Sequence, residues 1–559
     1  MKARGRGVPL LAVLAGAALL TAATPPAWAA WTPLLVVPGL ALQCAVATGA
    51  RRPFLASWLL GALHVGAFSW SLRHVTYAGW LAVAVLGGVY TIGVAAATRR
   101  LEARLGALAF GLAVAAASWL RAEMPGIAYP HGQPCHVLWQ WPRLCQAVAL
   151  GGEPLGNALL ATIGAAAARC WSAWRIGVPA FVPARRTLAF ALAAFAAATA
   201  VEWSAGSAAA RTTVAVAAIE PGLHLADAFA DIAPHDQRAF KRRWAELVRT
   251  RLLEPTLRIA GAEADAPPEL VLWPESAVPY AVEESHGELR FDALRGVLVL
   301  ANDVRLCFGT EVLRDDERTT PAAVLVDELG AFVAHQEKQC LVPAGETLPG
   351  IEWLPAGLAA RVRGWLQTTV GLPAALPGRA LPPLRLPPVA GRPAVPFTAL
   401  VCYDNAFPGV IAAAVADGAR FCAVLSNESW YRGGGELDQL AAITVLRAIA
   451  ARVPIVRCTT DGTTMAVDRD GRILQALPPA PSPQPAARIL RIDLPLGDGH
   501  LPPMARLHPW LGWGAVVFSA FAVLLGSRLA PRRWGRLLGP DPATAEPGEA
   551  SPGPSAGGS

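Results

Sequence analysis

The sequence predicts a polytopic α-helical membrane domain of about eight spans combined with an α/β domain inserted before the last span. Three observations lead there. The 559 residues are 54% hydrophobic and only 16% charged, whereas soluble domains carry about 25% charged residues. The acids are unevenly placed: residues 1–205 and 509–526 hold very few, and Asp and Glu gather between 220 and 350. Apolar runs long enough for a bilayer core, about 20 residues each, occur in the acid-poor parts, and short strand-like runs alternate with helical ones in the acid-rich part.

The apolar runs fall near residues 8–24, 32–49, 54–72, 79–97, 105–122, 154–172, 187–204 and 509–527. Seven precede the acidic region, within residues 1–205, and one follows it. Ala, Gly and Leu dominate them, as suits close helix approach in lipid. Basic residues mark alternate connections: Lys2, Arg4 and Arg6; Arg51 and Arg52; Arg99, Arg100 and Arg104; Arg169, Arg175, Arg185 and Arg186; then Arg528, Arg532, Arg533 and Arg536. The intervening loops hold only Arg73, Arg121 and Arg143. Because Lys and Arg are retained on the cytoplasmic side, both termini are expected inside and residues 205–508 outside. Lys2–Ala30, with its short apolar stretch and Ala27-Trp28-Ala29 end, also admits a cleaved signal peptide, which would leave the other spans' orientation unchanged.

The region 211–498 reads as the soluble unit. Thr212–Ile219, Leu270–Trp273, Gly296–Leu300, Val304–Thr310, Ala322–Val326, Phe397–Val401, Phe421–Leu425 and Ile455–Cys458 are short apolar strands. Phe240, Trp244, Leu247 and Val248 recur at helical spacing, and Leu437–Ala451 fits a second helix. Asp461-Gly462 and Asp470-Gly471 are hairpin signals. Strands alternating with helices imply α/β layers. Residues 349–396 are rich in Pro and Leu and apolar around 354–366. Their plain reading is a surface loop, but segments of this length are usually functional or disordered, and an apolar one beside a bilayer reads equally as a lid or an arm facing the membrane. The tail 540–559, mostly Pro, Gly, Ser and Ala, is expected to be disordered.

Three signatures in this region could carry chemistry: Trp273-Pro274-Glu275, Lys338 followed by Leu341-Val342-Pro343 and Gly345-Glu346, and Cys402-Tyr403-Asp404 leading to Phe407-Pro408. Each follows a strand. A thiol needs a base or a nearby positive charge to act as a nucleophile. Glu275 can take the Cys402 proton. Lys338 can hold the thiolate and then the oxyanion of a tetrahedral intermediate, together with the Tyr403 backbone N–H. Taken singly, such residues are ordinarily a core thiol, a turn acid and a solvated amine; order and context set them apart.

Glu275, Lys338 and Cys402, in that order after strands, resemble the nitrilase superfamily and its αββα sandwich. The finer resemblance is to its membrane-bound branch, the apolipoprotein N-acyltransferases, carried also by Ser426-Asn427-Glu428-Ser429-Trp430-Tyr431 and by Asp468 through Gly471-Arg472-Ile473. That family has eight spans with the catalytic domain between the seventh and eighth, in agreement with the Arg clusters. The resemblance implies transfer of an acyl chain from a phospholipid to Cys402 as a thioester. From there it passes to the N-terminal α-amine of a diacylglyceryl-cysteine lipoprotein, at the outer face of a bacterial inner membrane. Glu275 would be the base, Lys338 the stabiliser and Glu346 its positioning carboxylate. Tyr403 would line the pocket, and Asp404, Asn427 and Trp430 would support it. Three positions depart from the family: Asp404 where Glu is usual, Arg432-Gly433-Gly434 after Trp430-Tyr431, and Thr460-Asp461 in place of an Asn pair.

Two other readings compete: a membrane-tethered amidohydrolase or an acyltransferase with another amine acceptor, using the same three residues, and a transporter or scaffold whose outer domain only binds. The net charge of +7 arises from short Arg clusters beside apolar runs, with no continuous basic face for nucleic acid. Nine Cys include no C-x-x-C pair; Cys135 and Cys145 could form a disulfide in an outside loop. No metal-ligand cluster, phosphate loop or cofactor motif is present, so neither metal nor cofactor is expected, and the chain is expected to act as a monomer.

Overall fold

A computed structural model describes residues 8–26, 29–176, 181–206, 212–233, 236–261, 266–278, 282–285, 288–291, 304–314, 318–370, 375–388, 393–479 and 483–525. The strand expected at 296–300 and the tail 540–559 lie outside them. All eight apolar runs fold as helices: α1 (Leu10–Ala23), α2 (Val36–Gly49), α3 (Pro53–Phe68), α4 (Tyr77–Leu105), α5 (Ala107–Glu123), α6 (Ala147–Ile176), α7 (Phe181–Gly206) and, at the far end of the chain, α14 (Met504–Leu525). Among the described residues three segments are both long and apolar enough to cross a membrane: Thr32–Gly49, Tyr77–Leu105 and Met504–Leu525.

Small residues set the helix packing in this bundle. A Cβ at Gly512 of α14 would strike the Trp119 ring of α5, and one at Gly111 of α5 would strike Thr162 of α6. α6 is bent where Gly151 and Gly152 leave helical geometry (Gly152 φ 67°), just before Pro154. Paired glycines are a recognised cause of such kinks.

Between α7 and α14 lie two sheets packed face to face. The first joins β14 (Arg488–Pro495), β1 (Thr213–Glu220), β2 (Leu270–Leu272), β5 (Arg305–Leu313), β3 (Val282–Ser285) and β4 (Glu288–Phe291), with β6 (Thr319–Val326) and β7 (Phe332–Glu337) continuing from β5. The second runs β13 (Ile473–Ala476), β12 (Met465–Val467), β11 (Ile455–Thr459), β10 (Cys422–Ser426), β9 (Val395–Val401), β8 (Leu384–Leu386). β9, β10 and β11 are parallel. Val216, Leu272, Cys307 and Leu325 from one sheet meet Phe397, Phe421, Ala423 and Val456 from the other in a closed apolar layer.

Helices cover both outer faces. A short helix α8 (Leu225–Ala228) leads to α9 (Gln237–Leu247), which passes through one π-helical segment, Val248–Leu253, into α10 (Glu254–Ala260). Leu252 and Ala260 of this layer pack on Val271 and Phe308. On the other face α12 (Pro408–Ala416) and α13 (Glu436–Ala451) cover β10 and β11. The result is an αββα sandwich. On their far side α12 and α13 share one continuous core with Val148, Ala149, Leu160 and Ala161 of α6. The sandwich is thus built against the helix bundle.

The segment 349–396 carries more regular structure than its composition suggests. It holds α11 (Ala356–Val370) and the edge strand β8, and Trp353, Leu354, Leu358 and Trp365 are exposed along it. Cys135 and Cys145 are both buried free thiols, so no disulfide joins them. Cys135 points at Gly156 of α6, where its Cβ and Sγ fill the space beside the glycine.

Gly512→Val should separate α14 from Trp119 and lower the melting temperature of the detergent-purified protein by several degrees, equivalent to about 1–3 kcal/mol of overpacking. An unchanged melting temperature would show that this close approach is not needed.

Candidate active site

Strand ends deliver the three reactive groups. β2 stops at Leu272 and Pro274 prevents its extension, so Glu275 turns inward; the Trp273 indole N–H donates to Thr256 Oγ1 of α10 (2.9 Å) and fixes that corner. The Glu275 backbone passes so close to β5 that only a glycine fits at position 309. β7 stops at Glu337, whose carboxylate is held by Arg314 (2.9 Å) and Arg379 (2.8 Å), and Lys338 is the next residue. β9 stops at Val401, and Cys402 follows with φ 48°. A non-glycine residue in this left-handed region stores backbone strain and commonly marks a working turn.

Lys338 is completely buried. Its Nζ lies 3.0 Å from Glu275 Oε1 and 2.6 Å from Glu346 Oε1. Each carboxylate is tied down by its other oxygen: the Asn427 N–H donates to Glu275 Oε2 (2.9 Å), and the Val342 N–H to Glu346 Oε2 (2.8 Å). Burial disfavours the Lys338 charge, but Glu275 and then Glu346 outweigh it and hold the ammonium well above its usual pKa. Cys402 is pushed up to about 12, first by burial and then by Glu275, while Lys338 and a hydrogen bond from Ser426 pull the other way. At rest the site therefore holds Cys402 as a thiol and Lys338 as an ammonium.

The remaining expected residues divide. Asp404 is fully engaged: its carboxylate accepts from the N–H groups of Gln339 (3.0 Å) and Cys340 (2.7 Å), lashing the Cys402 turn to the loop after Lys338. Burial raises its pKa to about 7 against the pull of those bonds. The Tyr403 hydroxyl donates to Ala128 O (2.8 Å), in the loop after α5. The Asn427 side chain accepts from Ser429 Oγ (2.8 Å) and faces its own turn. Trp430 stands 54% exposed and makes no hydrogen bond or ring contact among the described residues.

Sequence reasoning did not single out Arg457, and it named Ser426, Glu428 and Tyr431 only as parts of a family motif. Arg457 of β11 and Glu428 form a fully buried pair, and Ser426 donates to Glu428 (3.2 Å). Burial lowers Arg457 to about 10, with the Cys402 charge opposing. A buried Arg inside an apolar strand run was the available signal. Tyr431, beside Trp430, lines a groove of about 150 Å³ together with Tyr403, Val342 and Pro343 on one side and Val75, Trp80, Val83 and Leu86 of the bundle on the other. The groove is almost wholly apolar and reaches the residue next to Cys402.

A Glu–Lys–Cys set at strand ends of an αββα sandwich defines the carbon–nitrogen hydrolase class, and the carbon–nitrogen hydrolase family matches residues 213–483. Residues 15–166 match the apolipoprotein N-acyltransferase N-terminal domain. The chain belongs to the apolipoprotein N-acyltransferase family, the membrane-bound branch of that class, and is a membrane protein. It is similar to an apolipoprotein N-acyltransferase of Chlorobaculum tepidum, 27% identical over 48% of this chain and 50% of the relative. That of Brucella melitensis biotype 1 is 30% identical over 39% of each, and that of Sinorhizobium medicae 26% identical over 75% of this chain and 74% of the relative. The chain spans half or less of the length of the first two. Among solved structures it is similar to an amidase of Nesterenkonia sp. AN1, 19% identical over 53% of this chain and 95% of that one, TM-score 0.30. A nitrilase-superfamily protein of Saccharomyces cerevisiae is 15% identical over 51% and 92%, TM-score 0.31.

Two measurements follow from this geometry. Glu275→Gln removes a charge that raises the Cys402 pKa, so more thiolate is present at any given pH. Alkylation of Cys402 at pH 8.5, read by peptide mass, should therefore accelerate, with about ten times more thiolate for every pH unit by which that pKa falls. Slower labelling would mean that Glu275 assists the thiol even towards an alkylating agent. Asp404 holds its proton in the folded state up to about pH 7 but loses it near 3.8 when unfolded. Its contribution is therefore complete below about 3.8 and is lost as pH rises through 7. Asp404→Asn, which keeps an acceptor for both N–H groups, should flatten the fall in melting temperature between pH 4 and 7; a parallel curve would assign that fall to other groups.

Proposed function

We propose that the chain is an apolipoprotein N-acyltransferase that carries the acyl group on Cys402. The observation that carries this reading is the buried Lys338 ammonium between Glu275 and Glu346, beside a protonated Cys402 whose neighbour Tyr403 lines an apolar groove. Glu275 removes the Cys402 proton as Sγ attacks the ester carbonyl of a phospholipid. Lys338, with the Tyr403 backbone N–H, stabilises the tetrahedral oxyanion. Its collapse breaks the ester C–O bond, and the departing lysophospholipid takes the proton from Glu275. In the second half the α-amine of a diacylglyceryl-cysteine lipoprotein attacks the thioester and gives its proton to Glu275. The C–S bond breaks, and the proton returns to Sγ.

The groove favours an acyl acceptor in lipid over water as the partner of the second step. Its walls, from Trp80 and Leu86 to Val342 and Pro343, suit an alkyl chain lying between bundle and sandwich. Glu346 positions Lys338, Asp404 fixes the nucleophile turn, and Asn427 holds Glu275. Within the same reading the eight helices are eight spans, with both termini cytoplasmic and the sandwich on the periplasmic side of a bacterial inner membrane. The segment 349–396 is an arm over the lipid surface, presenting Trp353, Leu358 and Trp365.

In cells depleted of their own N-acyltransferase, this chain should add one acyl chain to the N-terminus of a model lipoprotein, seen by intact mass, and Cys402→Ala should add none while remaining folded in the membrane. Release of free fatty acid without N-acylation would instead support a hydrolase.

A further inference from the structure

The nucleophile turn is gripped from a direction that the reaction scheme does not use. Arg447, on α13, is fully buried. Its Nε donates to Asn405 O (3.2 Å) and its Nη2 to Ala406 O (2.7 Å), the two carbonyls that close the turn begun at Cys402. The same Nη2 reaches both oxygens of Glu153 (3.0 and 3.2 Å). Glu153 lies in α6, immediately after the Gly151–Gly152 break, and is itself buried. His136 Nε2 lies 2.6 Å from Glu153 Oε1, and the Gln133 amide donates to Oε2 (3.2 Å). Gln133 in turn accepts from Asn157 of α6 (2.7 Å).

A carboxylate on a bundle helix is costly and tends to be kept for function. Here its single Arg or Lys partner among the described residues is a side chain that also holds two backbone carbonyls of the Cys402 turn. We propose that Glu153, acting through Arg447, is a positioning residue for acyl transfer: the bundle helix α6 sets the orientation of the nucleophile turn. The inference rests on the acyl-transfer reading given above. The kink matters because a straight helix through Gly151 and Gly152 would aim residue 153 elsewhere, and a Cβ at position 152 would meet His508 of α14.

Removing one member of a buried ion pair leaves an uncompensated charge, whereas replacing both by apolar residues of similar size keeps the fold. The full-length double variant Glu153→Met/Arg447→Met separates these effects. Purified in detergent and given dioleoyl phosphatidylethanolamine, it should stay folded and keep the wild-type KM. It should melt within several degrees of the wild type, although the Asn405 and Ala406 carbonyls, His136 and Gln133 each lose a partner. Its rate constant for the Cys402 thioester, read by intact mass, should fall by about 100-fold, as expected when a reacting group is displaced by about 1 Å. Alkylation of Cys402 at pH 9, which requires no acyl transfer, should change several-fold in the same variant. Wild-type rates in both measurements would overturn the inference. Absence of a thioester in the wild-type enzyme would overturn the acyl-transfer reading instead, and the alkylation rate would still decide whether the pair positions the thiol.

Discussion

One buried ammonium governs the architecture of the site. Moving a charge of that size out of water costs several kcal/mol even after relaxation, and Lys338 has no solvent contact. Two carboxylates must therefore be brought to it and held there. Glu275 arrives at the end of β2 and Glu346 from a loop that turns through Ala344 at φ 64°. Both are then fixed by backbone N–H groups from other segments. Gly309, the break at Pro274, and the Arg314–Glu337–Arg379 cluster that ends β7 all serve to place these three groups. The cation is in turn what lowers the cost of generating charge on Cys402.

Much of this was legible in the sequence because the signals are local. Glu275 and Cys402 each follow an apolar strand run, and the turn at Pro274 and the run ending at Val401 are visible without any partner; Lys338 follows β7, whose sequence FVAHQE carries no such run. The helices of the bundle were equally plain, since their apolar runs need no knowledge of what they touch. The expected helix at 437–451 and the strands at 304–310 and 455–458 likewise coincide with α13, β5 and β11, for hydrophobic periodicity fixes them.

What sequence reasoning missed depends on partners far away along the chain. Glu153 reads as a lone acid in an apolar run until Arg447, 294 residues further along the chain, is seen beside it. Asp404 stands out in the sequence as part of the nucleophile motif, and only the Gln339 and Cys340 N–H groups show what its side chain binds. Cys135 and Cys145 are free thiols, and Cys135 fits against Gly156, matters of helix packing that spacing cannot report. Composition showed that 349–396 was apolar but not that it contained α11 and β8, because Pro and Leu in a short edge strand carry little periodic signal.

The helix α13 has no solvent side. Apart from Leu437 and Asp438 its residues are all buried, with Thr444 bonded to Asn405 and Arg457 inward, and Glu436 and Gln439 reaching Ser71 and the Phe68 carbonyl outward. A free-standing sandwich could leave the outer face of such a helix to water; here that face is buried against the bundle, polar groups included. α3 and α6 supply the surface against which this last wall of the sandwich closes. Cut away from the bundle, the sandwich would turn this buried wall of α13 towards water.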